Sequence, residues 1–313
     1  MISLVKSIII HYQIISKNTK MKKIYYTLFL FFILCFSANA KETNFRKLET
    51  TLRIGASDQN VGFDTPVTHS ILEWNTETID FGLDLKYNFS DKTFTMFEYT
   101  YSEVKAGQST DDDINNGAGY YSWHGVEGRV NDYKLKFGYR LVNPGSFSLF
   151  ATAGLFHKEV ETITKDGVLT YNSYSMQGPG NETNSQFSGL TIGPRFEFKT
   201  ENTKNVLQTE LLIPLRYKGK QIWYGRDPDL HWELRNNQDN YNGSGFRLKA
   251  EHGYKIKDSF LKYVKLYSYY EEIEVIGLKE IENGVTSKGG TSATVINGSV
   301  NYKAYGGGLA FEF

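Results

Sequence analysis

Two short stretches carry residue types suited to proton chemistry. "YGRDPDLHWELR" (224–235) sets Asp227, Asp229 and His231 at alternating positions. On an extended chain the two acids and the imidazole share one face. "STDDDINN" (109–116) supplies Asp111, Asp112 and Asp113. A histidine oriented by an aspartate can take a proton from water near neutral pH. Two close carboxylates shift each other's protonation and can hold that water from the opposite side. The pieces suit peptide hydrolysis by an activated water, which needs no serine or cysteine nucleophile. Plainer readings exist for each stretch: a solvated loop with chance spacing for Asp229 and His231, and a solvated acidic tip or a divalent-cation site for Asp111–Asp113. The elements that carry the two stretches decide between them.

The chain has 313 residues, with 35 Lys+Arg against 35 Asp+Glu. Residues 1–40 hold Lys6, Lys17, Lys20, Lys22 and Lys23 and no acid, so the remainder carries a net charge of about −5. That mild acidity, without a basic stripe, argues against a nucleic-acid partner. The start reads as a secretory signal. Met21-Lys22-Lys23 is basic, "IYYTLFLFFILCF" (24–36) is apolar and short for a membrane span, and "SANA" (37–40) offers cleavage after Ala40. Residues 1–20 form an upstream extension before Met21, leaving 41–313 as one domain. The single cysteine, Cys35, falls inside the signal. A mature chain without thiols has no disulfide, zinc–thiolate site or cysteine nucleophile, and no metal or other cofactor is expected.

From Ile79 to Phe89 the sequence "IDFGLDLKYNF" alternates strictly, with Ile79, Phe81, Leu83, Leu85, Tyr87 and Phe89 on one side. "NDYKLKFGYRL" (131–141) repeats the pattern, setting Tyr133, Leu135, Phe137, Tyr139 and Leu141 against Asp132, Lys134, Lys136 and Arg140. This is strand periodicity. Short turns at 89–92, 143–146, 200–205 and 255–259 alternate with long polar connections near 58–66, 107–128, 166–184, 224–239 and 283–297. Long strands, short turns at one rim and long loops at the other predict an all-β chain. The expected form is a ten-stranded antiparallel transmembrane β-barrel of the outer-membrane type, apolar toward lipid and polar inside. The ten strands are expected near 45–57, 67–88, 93–106, 129–142, 146–165, 185–199, 206–223, 240–254, 260–282 and 298–313. "YGGGLAFEF" (305–313) ends on Phe313, resembling the terminal strand signal read by the barrel assembly machinery. In such a ring the two acidic stretches occupy long connections on opposite sides of one opening.

With "SILEW" (70–74), the Asp-x-Asp of Asp111 and Asp113, and the Asp-x-Asp-x-His of Asp227, Asp229 and His231, the chain resembles the omptins, ten-stranded outer-membrane proteases. The resemblance covers nearly all of the mature chain. It implies that Asp229 orients His231 as general base and that Asp111 and Asp113 form the opposing couple. Asp227 would sit at the base of the pocket for the residue before the cut, favouring Arg or Lys there. It further implies peptide or protein substrates at the cell surface of a Gram-negative bacterium, active-site loops facing outside, and contact with outer-membrane lipid. Omptins often need lipopolysaccharide for activity. Two positions depart from the family: Ile114 stands where an aromatic is usual, and Phe63 or Asp64 near the first-loop glutamate. The competing expectation is a catalytically inactive omptin-like barrel serving as adhesin, receptor or narrow porin.

Overall fold

The computed structural model describes residues 48–65, 70–113, 119–124, 126–143, 145–164, 167–171, 174–178, 181–224, 231–238, 242–257, 259–285 and 293–313. The proposed signal, Ile114 and both Asp227 and Asp229 lie outside the described residues.

Alternation becomes strand throughout. In chain order the strands are β1 (Leu48–Thr65), β2 (Ser70–Asn88), β3 (Thr93–Asp113), β4 (Gly119–His124), β5 (Glu127–Val142), β6 (Phe147–Thr164) and β7 (Gly167–Tyr171). They continue as β8 (Tyr174–Gly178), β9 (Asn181–Lys199), β10 (Thr203–Tyr224), β11 (His231–Gln238), β12 (Asn242–Lys255), β13 (Tyr263–Val285) and β14 (Ala293–Glu312). Ten of them, β1, β2, β3, β5, β6, β9, β10, β12, β13 and β14, pair antiparallel in that order. The ring closes where β14 pairs β1, from Thr51 opposite Glu312 to Asp64 opposite Ser299. Closure gives every ring strand two neighbours and leaves no edge. Tight turns join the strands at one rim; in two of them Phe89 and Thr200 donate their N–H to the carbonyls of Thr93 and Thr203.

The other rim differs from the sequence expectation. Much of what reads as loop is strand. β3 runs on to Asp113, β4 pairs with its upper part, and β7 and β8 extend that sheet. β11 inserts between the upper parts of β10 and β13. Above the apolar belt neither face of these strands carries a regular apolar pattern, so the period-two signal that marks the ring strands disappears there.

The ring strands face lipid with their apolar rows. Phe81, Leu135, Phe137, Leu155, Ile192, Leu211 and Leu266 are exposed on the outer wall, while Lys134, Lys136, Glu210 and Lys249 on the inner wall are buried. A soluble protein would place these groups the other way round. Inside, cations and acids neutralise one another in a continuous network. Lys136 Nζ lies 2.8 Å from Glu98 and 2.7 Å from Glu210. Arg247 reaches the same two acids at 2.8 and 3.0 Å. Lys158 meets Glu271 at 2.6 Å, and Lys134 bridges Glu271 and Asp132. Lower down, Lys204 and Lys265 both hold Glu312.

Above this network lies an interior layer that alternation alone does not announce. Val61, Val104, Phe187, Tyr217, Val275, Val300 and Tyr302 meet across the lumen in one buried apolar cluster. Aromatic residues thus serve on both walls. Phe94 and Phe150 pack edge-on inside the lower barrel at 5.3 Å, with the Lys86 ammonium 4.7 Å above the Phe94 ring.

Candidate active site at the extended rim

The rows facing the mouth can be followed by register. Thr76, Thr78 and Asp80 of β2 are buried inward positions. Opposite them, Thr78 pairs Val104 while Glu77 pairs Ala106, so Lys105 is an extra residue, a β-bulge on β3. Beyond the bulge Thr76 pairs Gly107, Trp74 pairs Ser109, Leu72 pairs Asp111 and Ser70 pairs Asp113. Residues two apart share a face. Asp111 and Asp113 therefore continue the inward row, and Asp112 falls in the alternate, outward row. The same row crosses to β4, where Asp111 stands opposite Tyr121 and Ser109 opposite Trp123.

A second bulge occurs on β10 between Pro214 and Arg216. Buried Tyr217 resumes the inward row there, and Gly219, Gln221 and Trp223 follow it upward. A third lies on β13 between Ile276 and Leu278, where Gly277 has φ 72°. That left-handed conformation suits glycine in a bulge. On β11, Trp232 pairs Trp223 and Leu234 pairs Gln221, which places both in the inward row. His231, the first residue of β11, pairs Tyr224 and Val285 and so takes the alternate row.

The fold thus brings the segments carrying Asp111, Asp113 and His231 to one rim, on strands separated around the ring. The register gives the two aspartates one row and His231 the other. Asp227 and Asp229 belong to the connection just before His231. The chain has four tryptophans, and Trp74, Trp123, Trp223 and Trp232 all fall in the inward row at this rim. Trp123 and Trp223 flank the acidic stretches in sequence; the bulges on β3 and β10 bring their rows into line with that of Trp74.

Beneath the mouth, the apolar layer carries a polar inclusion around Asp80. Asp80 accepts hydrogen bonds from Ser57 at 3.0 Å, Thr78 at 2.8 Å and Tyr269 at 3.0 Å. Gln59 donates to Ser57, and Tyr302 donates to Gln59. A buried carboxylate held by several hydroxyl donors is satisfied without a cation.

A closed ten-stranded antiparallel ring, ion-paired inside and apolar outside, is a transmembrane barrel of the outer-membrane type. No family model matches the chain, and no curated protein matches its sequence. Solved structures match the fold. The outer membrane protease OmpT from Escherichia coli superposes with a TM-score of 0.72 at 9% identity, over 85% of this chain and 96% of that one. OprG from Pseudomonas aeruginosa, 11% identical over 85% and 95% of the two chains, gives 0.30. Ail, the attachment invasion locus protein of Yersinia pestis, 9% identical over 84% and 97%, gives 0.25. At such identities the likeness is one of fold alone.

Proposed function

We propose that this barrel is an omptin-type endopeptidase of the outer membrane, hydrolysing peptide bonds next to basic residues of polypeptides at the cell surface. The observation that carries the reading is the inward row at the rim, where Asp111 and Asp113 stand two residues apart and Asp112 does not join them. The Asp-x-Asp-x-His sequence enters the same rim from β10. In this mechanism the aspartate couple holds a water against the scissile carbonyl. His231, oriented by Asp229, accepts the proton as the water oxygen attacks, then returns it to the leaving amine. Asp227 supplies negative charge for an Arg or Lys side chain before the cut. Lipopolysaccharide around the barrel is the expected lipid partner, and the terminal strand ending at Phe313 is the expected signal to the assembly machinery.

A second reading is favoured by one observation. His231 takes the outward row, which suits an inactive barrel whose mouth binds a ligand as adhesin or receptor. A pore is the weaker version of that reading, because ion pairs and an apolar layer fill the lumen.

Refolded barrel with lipopolysaccharide, given a quenched fluorogenic peptide containing a dibasic site, separates these readings. The protease reading expects cleavage, with Asp111→Asn, Asp113→Asn and His231→Ala each lowering kcat by about 10²-fold or more. Cleavage unchanged by His231→Ala refutes the assigned chemistry. A folded parent that cuts no basic peptide leaves the ligand-binding reading.

A further inference from the structure

The outward charges of this barrel are sorted by height. Toward the long-strand rim the exposed wall carries Asp58, Glu77, Glu103, Glu127 and Glu274. Cations there are fewer than the acids: Arg216, Lys218 and Lys220 on β10, Arg129, which pairs Glu161 at 2.6 Å, and Lys303, which pairs Glu272 at 3.1 Å. The short-turn rim is the reverse. Lys92, Lys199, Lys255, Lys257 and Lys262 are exposed there. They are opposed among the described residues by Asp91 and Glu201. Lys199 also lies 3.3 Å from the buried Glu197, with about half of its side chain still accessible.

These lysines adjoin the lower end of the lipid-facing wall. Phe89, Leu141, Phe198, Tyr254 and Phe260 are its last exposed apolar residues, and Phe260, 73% exposed, stacks on Phe313 at 5.5 Å. A lysine at this boundary lays its methylene stem along the apolar surface and lifts its ammonium to headgroup level. Its strongly hydrated point charge suits a phosphate oxygen. The lysines lie on three separate strand junctions, Lys92 at β2–β3, Lys199 at β9–β10 and Lys255, Lys257 and Lys262 at β12–β13, so basic surface occurs at three places along this rim, densest at β12–β13.

We propose that the short-turn rim is a binding surface for anionic glycerophospholipid headgroups, selecting them from the leaflet that borders it. Charge complementarity commits the occupant to a lipid phosphate, and continuity with the apolar wall commits it to a phosphate carried on acyl chains. The inference is independent of the proteolytic reading.

Spin-labelled phosphatidylglycerol and phosphatidylcholine, each incorporated into vesicles holding the refolded barrel, report association with the protein wall by electron paramagnetic resonance. At low salt the phosphatidylglycerol label should be enriched several-fold over the phosphatidylcholine label. Replacing all five lysines with glutamine (Lys92→Gln, Lys199→Gln, Lys255→Gln, Lys257→Gln and Lys262→Gln) should remove the preference. The control Lys218→Gln/Lys303→Gln, toward the opposite rim, should keep it. Should the five-fold variant not refold, the parent decides by salt. The preference must fade as the screening length falls from about 30 Å at 0.01 M to about 3 Å at 1 M. Equal association of both labels at low salt, or a preference indifferent to salt or retained in the five-fold variant, overturns the proposal.

Discussion

Replacing Lys136 with methionine keeps the length of the side chain and removes its charge from the middle of the lumen. Lys136 is fully buried and bridges Glu98 and Glu210 at 2.8 and 2.7 Å. After Lys136→Met the two carboxylates share the Arg247 guanidinium, which already lies 2.8 and 3.0 Å from them. Removing one partner of a buried ion pair costs about 3–5 kcal/mol. Arg247 retains part of the compensation, which puts Lys136→Met at the lower end, about 3 kcal/mol. Adding Glu210→Gln removes the surplus negative charge, so Lys136→Met/Glu210→Gln should recover about 1 kcal/mol relative to the single variant. Urea titration of the refolded barrel in phospholipid vesicles, followed by β-sheet circular dichroism and by the gel mobility of the folded form, measures both. A Lys136→Met barrel within about 0.5 kcal/mol of the parent, typical of a surface change, refutes the network as a contributor to stability. So does a double variant less stable than the single one.

Three further outcomes follow from the same geometry. Leu135→Arg, one residue away but on the lipid-facing wall, should cost about 2–4 kcal/mol in the same titration if it lies near the bilayer midplane. Gly138 sits under the Phe94 ring, which a Cβ would overlap, so Gly138→Val should lower stability by about 1–3 kcal/mol and shift the Phe94–Phe150 contact. Asp112→Asn should leave peptide cleavage within about twofold of the parent while Asp111→Asn and Asp113→Asn abolish it; an equal loss at all three positions contradicts the register above the Lys105 bulge.

The ring was legible because lipid and lumen impose opposite chemistry on neighbouring residues. Tyr133 to Leu141 alternates in sequence as it does in space, with Leu135 exposed and Lys134 and Lys136 buried. Above the belt that contrast ends, and the upper part of β3, β4, β7, β8 and β11 read as Gly-, Asn- and Ser-rich loop. Bulges are equally silent, because Lys105 and Leu215 carry no composition that marks an extra residue. Those bulges decide whether the row of Asp111 and Asp113 or that of Asp112 faces inward, and they set the row shared by Tyr224 and His231 outward. The acids of the candidate site could thus be named from sequence, while their facing could not. The interior apolar layer was hidden for a related reason. Val104 and Val300 occupy positions where alternation predicts polar groups, and it takes the closed ring to show them meeting across the lumen.

The filled lumen also bears on the envelope that would carry this protein. An ion crossing it would have to part Lys136 from Glu98 and Glu210, Lys158 from Glu271, and then enter the dry layer around Val275 and Val300. Each step asks for a bare charge in a medium that solvates it poorly. The described lumen thus sets a steep barrier to ions, and a planar-bilayer recording of the refolded barrel should show no steady conductance; an open, ion-selective current would contradict this filling.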